Sequence, residues 1–442
     1  MFKTLINAFR VKEIRKKMLF TLFLIFVFVL CCFVPVPGID VEAMRATVND
    51  AGTGGVSFLG LLNGVSGGAF KNGTLFALGI SPYINASIIM QLLSVAIPPL
   101  ERLQKQGEDG RKKIAQYTRI LTLVLAIVQA VGICFGYRQI IDTKLFNNTD
   151  LTWLVYIVVC IMLCSGTMLA MWIGERITEK GVSNGISMLI FTGILMSAGT
   201  AIINTIQDIA KGGEKSSFQT WGLIGFLVAV IVIFGLIVFV DLAERKISVQ
   251  YAKQIKGRKM YGGQNTHIPI KVNASGVLPL IFAFALLSFP ALIASVAAPE
   301  GGFAVWWNTY LGGQSRTPYY AIVLSLLILF FAFFYGQIQF NPEDVSRNIQ
   351  QYGGFIPGIR PGKPTTDYLK KINNRITLFG AIFLAFIALV PTLIFQLIVG
   401  EGSSLLNAFS TTGLLIVVSV ALEFNKQLEG QLMMKHYKGF LD

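Results

Sequence analysis

Ten long apolar runs constrain this 442-residue chain more than any other feature of its sequence. Each run is about 18 to 24 residues long, which is the length an α-helix needs to cross the ~30 Å hydrocarbon core of a bilayer. They lie near 18–37, 74–97, 118–137, 152–173, 183–205, 219–240, 275–297, 318–339, 375–399 and 404–424. Only 14% of the residues are charged, against about a quarter in soluble domains. The sequence therefore predicts an all-α integral membrane protein with ten transmembrane helices.

The basic residues outside these runs predict the orientation of the chain. Of the 37 Lys and Arg residues, 30 fall in the termini and even-numbered connections, with Arg119 and Arg375 at the adjoining ends of two runs counted in, and 7 fall in the odd-numbered connections. By the positive-inside rule the first set is cytoplasmic, so both termini are predicted to be cytoplasmic. A basic head precedes the run at 18–34 without a small-residue cleavage site after it, which predicts that this first span is retained.

The number of spans permits an internal symmetry. Two halves of five spans each would have opposite orientations in the membrane, because five is an odd number. Inverted repeats of this kind place a transport path at the repeat interface, near the midplane of the bilayer. The sequence itself does not display the repeat.

The absence of ionisable and catalytic side chains from the predicted spans limits the functions that the chain can have. No Asp, Glu, Lys or Arg lies in the middle third of a predicted span, and both histidines, His267 and His436, fall in predicted cytoplasmic segments. Ion-coupled transporters usually need intramembrane ionisable groups, so their absence counts against that class. The chain also lacks a P-loop, metal-ligand spacing and a catalytic set that could lie in the membrane. A passive conduit without cofactor or metal is favoured over the alternatives, a secondary transporter and an intramembrane enzyme.

Several spans are interrupted by polar residues beside branched aliphatic ones. Span 2 contains Gly, Pro, Ser, Asn and Gln, so it is predicted to line a cavity rather than face lipid. Ile80 and Ile84 share one face of it, and Ile186 and Ile190 repeat the spacing in span 5. Such residues would form a hydrophobic constriction that excludes water by dewetting. The alternative is that these side chains face lipid.

Two long cytoplasmic connections carry ordered local signals. Residues 241–273 alternate apolar and polar residues on both sides of a Gly-rich turn, which predicts a hairpin. Residues 341–375 begin with a predicted helix that has Asn341 as its N-cap and Gly353 at its end. A stiff stretch follows and presents Arg360 between two Pro-Gly pairs. These basic connections favour docking of a large anionic partner; the alternative is that they are solvated loops that only set the topology.

The stretch VSFLGLLNGVSGGAF, residues 56–70, is apolar but only half as long as a span. As a helix it would reach about 20 Å, and Gly60, Gly64 and Gly68 would form a stripe that permits close, weakly held packing. It contains no Lys, Arg or Trp to anchor it at an interface. The alternative is an amphipathic loop on the outer membrane surface.

Six segments, read in order along the chain, resemble the SecY family, the channel subunits of bacterial protein translocases. They are LFALGISPYINASIIMQLL, ITEKGVSNGIS, RKISVQYAK, HIPIKVNASGVLP, FNPEDVSRNIQQYGGFIPGIRPGKPT and TTGLLIVVSVALE. The similarity runs from Lys3 to about Lys435.

This resemblance implies an architecture and a function. Two inverted five-helix halves, 1–205 and 219–442, would clamp an hourglass pore and hinge at 206–218. Residues 56–70 would be a re-entrant plug helix. The chain would be a protein-conducting channel of the bacterial plasma membrane that translocates unfolded secretory polypeptides and releases membrane helices through a lateral gate.

The resemblance also implies roles for individual residues. The pore ring maps to Ile80, Ile84, Ile186, Ile190, Leu278 and Ile416, where Leu278 replaces the isoleucine expected in the family. The plug contributes Phe58, Gly60, Leu61, Leu62, Gly64 and Val65. The lateral-gate polar residues are Ser87, Gln91, Gln129, Asn273 and Ser275. Partner docking maps to Arg245, Lys246, Lys256, Arg258, Arg360 and Lys363.

The implied partners fall into three groups. SecE and SecG would be the membrane subunits, and the SecA motor or the ribosome would dock on the two cytoplasmic connections. Secretory preproteins and their signal sequences would be the cargo, and the lipid bilayer would receive released helices. The resemblance implies no enzymatic activity of the chain itself.

Overall fold

The fold was analysed in a computed structural model that describes residues 2–52, 63–64, 66–136, 140–141, 152–210, 216–251, 254–256, 259–261, 265–273, 276–297, 301–311, 318–399 and 411–438. The described chain is mostly helical. Its first helices are α1 (Phe2–Arg10), α2 (Lys12–Cys31), α3 (Val41–Gly52), α4 (Ser81–Ala96), α5 (Pro98–Lys105), α6 (Glu108–Gly136), α7 (Thr152–Lys180), α8 (Gly185–Ala210) and α9 (Ser216–Leu242). After four strands come α10 (Leu278–Ala297), α11 (Gly302–Tyr310), α12 (Pro318–Gln339), α13 (Pro342–Gln351), α14 (Lys363–Val399) and α15 (Thr411–Lys438).

Each of the ten predicted apolar runs overlaps with one of these helices. Within the described residues, six helical segments are long and apolar enough to cross a membrane. They are Glu108–Phe135, Trp153–Lys180, Gly185–Gln207, Leu223–Leu242, Tyr319–Gln351 and Lys363–Val390. Ser81–Ala96 and Pro98–Gln104 make a seventh if this pair, bent by 105°, counts as one span. The structure thus supports a multi-pass helical membrane protein, and the full count of ten spans stays a prediction.

Span 2 begins later than the sequence predicts. Residues 66–80 form turns and bends, and α4 starts only at Ser81, seven residues after the predicted beginning at 74. Pro82 lies in its first turn, where its missing N–H costs no helical hydrogen bond. Gly79 before it has φ +55°, a conformation that favours glycine and ends the preceding turn.

The short apolar stretch 56–70 is described only in part. Residues 63–64 are helical and 66–70 form turns, so the helix predicted over this stretch does not extend to Phe70. Gly67 and Gly68 adopt φ +71° and +85°, which helical residues do not. The chain therefore reverses direction at this pair of glycines.

The chain divides into two compact units. The first contains 1–227, 285–320 and 394–442. In it, α6 packs against both α4 and α7, α7 packs against α8, and α15 packs against α8 and α1. One apolar core joins α2, α4, α7 and α8, and a second joins α6 and α7 to the turns beside them.

The second unit contains 228–284 and 321–393 and includes a small antiparallel sheet. Its strands are β1 (Glu244–Tyr251), β2 (Gln254–Lys256), β3 (Lys259–Tyr261), β4 (Asn265–Lys271) and β5 (Gly354–Phe355). β1 pairs with β4 in a register that places Ile247 opposite Ile268, and β2 pairs with β3. The predicted hairpin over 241–273 is thereby confirmed.

The two long connections fold together rather than as separate fingers. β5 pairs with β1 at Gln250↔Phe355 and Tyr251↔Gly354, so the order of the sheet is β4-β1-β5. A Cβ on Gly354 would lie 2.8 Å from the Tyr251 ring, which explains why glycine occupies this position. A shared apolar core consists of Ile247, Val249, Ile270, Ile349, Ile356 and Leu369.

The helix that starts the second connection has the predicted ends. Asn341 adopts an extended conformation, and its side-chain oxygen accepts from the Glu343 N–H at 3.1 Å. Pro342 is the first helical residue, and Gly353 follows the helix with φ +66°. This N-cap and this C-terminal glycine are confirmed, and they set the position of β5.

Candidate functional site

Three predicted ring residues meet in one apolar cluster of the first unit. Ile80, the N-cap residue of α4, is buried at 3% exposure. Ile84, one turn later, and Ile186, at the start of α8, pack half-buried against the same cluster. Phe28 and Phe76, members of this cluster, stack with ring centroids 5.1 Å apart. The start of α4 and the start of α8 thus place branched aliphatic side chains in one cluster.

The other three ring candidates have different surroundings. Ile190 on α8 and Ile416 on α15 are both buried, and these two helices pack against each other. Leu278 is the first residue of α10, lies in the second unit, and is 38% exposed.

The polar gate candidates of the first unit lie on α4 and α6. On α4, the Gln91 amide Nε2 donates to Ser87 Oγ at 3.4 Å, on the partly exposed side of the helix. On α6, Gln129 is fully buried, and neither its Nε2 nor its Oε1 has a hydrogen-bond partner among the residues that the structure describes. Leaving such a group unsatisfied costs about 1–3 kcal/mol. The packing of α6 around Gln129 is therefore less stable than the burial of this side chain alone would indicate.

The remaining gate candidates belong to the second unit. Asn273 is buried, and its Nδ2 donates to Asp241 Oδ1 at 3.0 Å, while its own Oδ1 has no hydrogen-bond partner within the described part of the chain. Ser275 lies outside the described residues.

A serine that the sequence did not single out holds the end of the short apolar stretch. Ser197 on α8 donates from Oγ to the carbonyls of Gly64 and Asn63, at 3.0 and 3.3 Å. Gly64 is half-buried, and the other plug candidates lie outside the described residues: Phe58, Gly60, Leu61, Leu62 and Val65. Ser197 was missed because a single serine among apolar residues of a span carries no local signal.

Asn63 organises the turn that Ser197 contacts. Its Oδ1 accepts from the Lys71 N–H at 2.9 Å, and its carbonyl accepts from the Gly68 N–H at 2.9 Å. Burial, and then the charge of Arg45, lower the pKa of the Lys71 ammonium. The turn is therefore closed by its own hydrogen bonds, and α8 adds the Ser197 hydroxyl, whose single proton is shared between two carbonyls.

The close approach of this turn to α8 occurs at Gly67. A Cβ there would lie 3.2 Å from Gly193 Cα and 3.3 Å from Met196 Cβ. At Gly64 and Gly68, by contrast, an added Cβ would meet no atom of the described residues within 4 Å. Within the described residues the close contact with α8 is thus made by the intervening Gly67, and the packing role of the Gly60, Gly64 and Gly68 stripe stays a prediction.

The basic docking candidates that can be described lie on the second unit. Arg360 is exposed, but its backbone is fixed: Thr365 Oγ1 donates to the Arg360 carbonyl at 2.8 Å. Ser346 Oγ donates to the Gly362 carbonyl at 3.0 Å and ties the same turn to α13. The Arg360 side chain thus extends from a rigid base.

The other basic candidates flank this turn in sequence or belong to the hairpin. Lys363, the first residue of α14, is exposed, and so are Arg245 and Lys246 on β1. Lys246 pairs with Glu244 at 3.4 Å. The side chain of Lys256, on β2, and all of Arg258 lie outside the described residues. The sheet joins the two predicted docking segments into one folded unit.

Comparison with known proteins assigns the family. The family model described as SecY matches residues 74–425. The chain belongs to the SecY family. The SecY protein translocase subunit of Streptomyces coelicolor is 44% identical over 98% of each chain. That of Halalkalibacterium halodurans is 41% identical over 100% of each chain. The resemblance inferred from the six segments is confirmed.

Solved structures agree with the SecY fold. A structure described as that of a protein conducting channel matches with a TM-score of 0.64 at 20% identity, covering 93% of this chain and 91% of that one. Sec61 in a canine ribosome-channel complex matches with a TM-score of 0.60 at 18% identity, with the same coverage. At these identities the likeness shows the fold alone.

Proposed function

We propose that this SecY-family chain is a protein-conducting channel of the bacterial plasma membrane. It passes unfolded secretory polypeptides across the bilayer and releases apolar helices sideways into lipid. One observation carries the proposal: Ile80, Ile84 and Ile186 cluster where a broken span begins, beside a turn held to α8 by hydrogen bonds. Relatives named translocase subunits match over nearly the whole chain, which supports it.

The proposed ring acts by its chemistry rather than by specific recognition. Branched aliphatic side chains exclude water and ions from a narrow passage by dewetting. They offer a passing polypeptide no fixed hydrogen bonds, so cargo of any sequence can displace them. Ile190, Leu278 and Ile416 are proposed as further ring members. The chain is a conduit, not an enzyme, and a partner supplies the energy.

Crosslinking tests this function directly. In a variant with its five native cysteines changed to alanine, Ile84→Cys or Ile190→Cys is expected to form a disulfide with a cysteine in a stalled secretory polypeptide. Ile120→Cys is the matched control, because Ile120 on α6 is 62% exposed and predicted to face lipid. Gel mobility under non-reducing conditions measures the product. Equal crosslinking at Ile120 and at the ring, or no product at either ring site, contradicts the ring.

Residues 56–70 are proposed as a plug that closes the outer side of the ring. Ser197 then serves as a latch, since it binds two carbonyls at the only end of the plug that can be described. The glycine conformations at Gly67 and Gly68 make this end a defined hinge. Among the described residues, these are the side-chain hydrogen bonds from α8 that arriving cargo has to break to move the plug.

Ser197→Ala is expected to loosen this latch and raise the ion leak of the resting channel. A net loss of about 1 kcal/mol corresponds to a roughly fivefold larger displaced population. Thr192→Ala is the control, because the Thr192 hydroxyl bonds only within α8, to the Met188 carbonyl at 2.8 Å. Conductance in planar bilayers measures both. A leak in Ser197→Ala no larger than in Thr192→Ala contradicts the latch.

The lateral gate is proposed to use Ser87, Gln91, Gln129, Asn273 and Ser275. Gln129 supports this role, since an amide buried without a partner destabilises the packed arrangement by about 1–3 kcal/mol. Separation of α6 from its neighbours would let water or a signal sequence satisfy the amide. Opening this gate would therefore cost less free energy than opening a gate lined only by apolar side chains.

The partners are proposed from the exposed surfaces and the relatives. SecE and SecG would be the membrane subunits, while the SecA motor or the ribosome would dock on the sheet of the second unit. The proposed docking residues are Arg245 and Lys246 on β1 and Arg360 and Lys363 after β5, and Lys256 and Arg258 add charge along the hairpin. Sec61 in its ribosome-channel complex, a structural neighbour, supports the choice of ribosome.

A further inference from the structure

A short aromatic helix occupies the connection between predicted spans 7 and 8. Helix α11 has the sequence GFAVWWNTY, and neither it nor its neighbours Gly301 and Leu311 carry a charge. Phe303, Trp306 or Trp307, and Tyr310 follow the three- and four-residue spacing that places side chains on one side of a helix. The proposed channel function gives this helix no role.

The rings form a continuous ladder that reaches the next helix. Phe303 contacts Trp307 with centroids 5.7 Å apart, and Trp307 contacts Trp306 at 6.3 Å. Trp306 contacts Tyr310 at 5.9 Å, and Tyr310 contacts Tyr319 on α12 at 6.1 Å. These ring pairs add about 0.5–1.5 kcal/mol each beyond their area burial. The ladder therefore fixes α11 to the first turn of α12.

One side of this ladder is exposed. Phe303 and Tyr319 are each 58% exposed and Trp306 is 49% exposed. Trp307 lies on the inner side, since its indole Nε1 is buried. A contiguous aromatic surface of this kind is uncommon on a protein face that meets water.

The exposed surface continues along α12. From Tyr319 onward, Ile322, Leu326 and Phe330 recur every three or four residues, and each is more than half exposed. This is the pattern of a transmembrane helix side that faces acyl chains. Tyr319 therefore stands at the end of a lipid-facing stripe of α12.

We propose that α11 and Tyr319 dock in the headgroup region of the bilayer, with Trp306 as the main anchor. Indole and phenol rings prefer this region, because their apolar bodies enter the acyl boundary while their N–H and O–H groups meet headgroup oxygens. The lack of charge means that docking needs no anionic lipid. The anchor sets the depth at which α12 enters the membrane.

Fluorescence quenching in reconstituted vesicles tests the anchor. In the full chain with Trp153, Trp172, Trp221 and Trp307 changed to phenylalanine, Trp306 is the single reporter. Phosphatidylcholine brominated near the headgroup is expected to quench it at least about twofold more than lipid brominated near the chain end. The quenching is expected to be the same in vesicles with and without phosphatidylglycerol.

A water-exposed reporter provides the control. Tyr352→Trp in a chain without other tryptophans places the probe on the second unit, at a residue that is 73% exposed. Aqueous acrylamide should quench that probe, and brominated lipid should not. If Trp307→Phe disturbs the ladder, the quenching of Trp306 can instead be obtained by subtracting the fluorescence of Trp306→Phe from that of the wild type. Quenching of Trp306 by acrylamide rather than by lipid overturns the proposal. Protection from both quenchers also overturns it, because a protein partner or second copy then covers the helix.

Discussion

Gly166→Ala is expected to destabilise the first unit by about 3 kcal/mol or more, through overpacking of a site that cannot relax. A Cβ at Gly166 on α7 would overlap the carbonyl oxygen of Leu75 and lie 3.2 Å from its Cγ. The backbone of Leu75 has little freedom to retreat, because its N–H donates to the Val34 carbonyl at 2.9 Å. Thr74 beside it is also fixed, since its hydroxyl donates to the Ala69 carbonyl at 3.1 Å.

The same substitution is expected to disturb the proposed pore. Leu75 lies five residues before Ile80, within the turns that place this isoleucine at the start of α4. Displacing these turns moves Ile80 out of the cluster it shares with Ile84 and Ile186. Thermal unfolding of the purified chain in detergent measures the stability, and bilayer conductance measures the leak.

Gly199→Ala on α8 is the matched control for this substitution. A Cβ at Gly199 would meet nothing within 4 Å, and alanine favours the helix over glycine by up to about 1 kcal/mol. Its stability should equal or exceed that of the wild type. If Gly166→Ala were as stable as Gly199→Ala, the contact of α7 with the Leu75 carbonyl would not be a rigid one.

The sequence was sufficient for features set by local chemistry. Apolar length located the long helices to within several residues, Asn341 and Pro342 located the start of α13, and the alternation on both sides of a Gly-rich turn located the hairpin. Each of these depends on residues within one helical turn or one strand pair. Local propensity and local hydrogen bonding decide them without reference to the rest of the chain.

Features set by distant contacts could not be read in the same way. The pairing of Gln250 with Phe355 joins segments a hundred residues apart, and no local pattern specifies its register. The Ser197 latch depends on which face of α8 meets the turn at Asn63. Likewise, whether the buried Gln129 amide has a hydrogen-bond partner depends on which side chains pack around it. Tertiary packing decides all three.

Arg360→Glu is expected to slow motor- or ribosome-driven translocation roughly tenfold, because a reversed charge removes electrostatic steering of an anionic partner. Fold and insertion should be unaffected. The Thr365 hydroxyl binds the Arg360 carbonyl, and Ser346 binds the Gly362 carbonyl, so the turn is held by groups that the substitution does not touch. Translocation of a preprotein into proteoliposomes, and separately with stalled ribosomes, measures the effect.

Arg347→Glu is the matched control, because it reverses an exposed arginine on α13 of the same connection without altering the turn at 356–362. If docking uses Arg360 specifically, Arg347→Glu should retain nearly wild-type translocation. Raising the ionic strength should slow the wild type and narrow its difference from Arg360→Glu, because exposed charges are screened beyond about 8 Å at physiological salt. Equal losses in both variants would assign the effect to the net charge of the second unit. Wild-type translocation by Arg360→Glu with both motor and ribosome would remove this residue from the docking surface and leave the hairpin on β1 and β4 as the place where the partner binds.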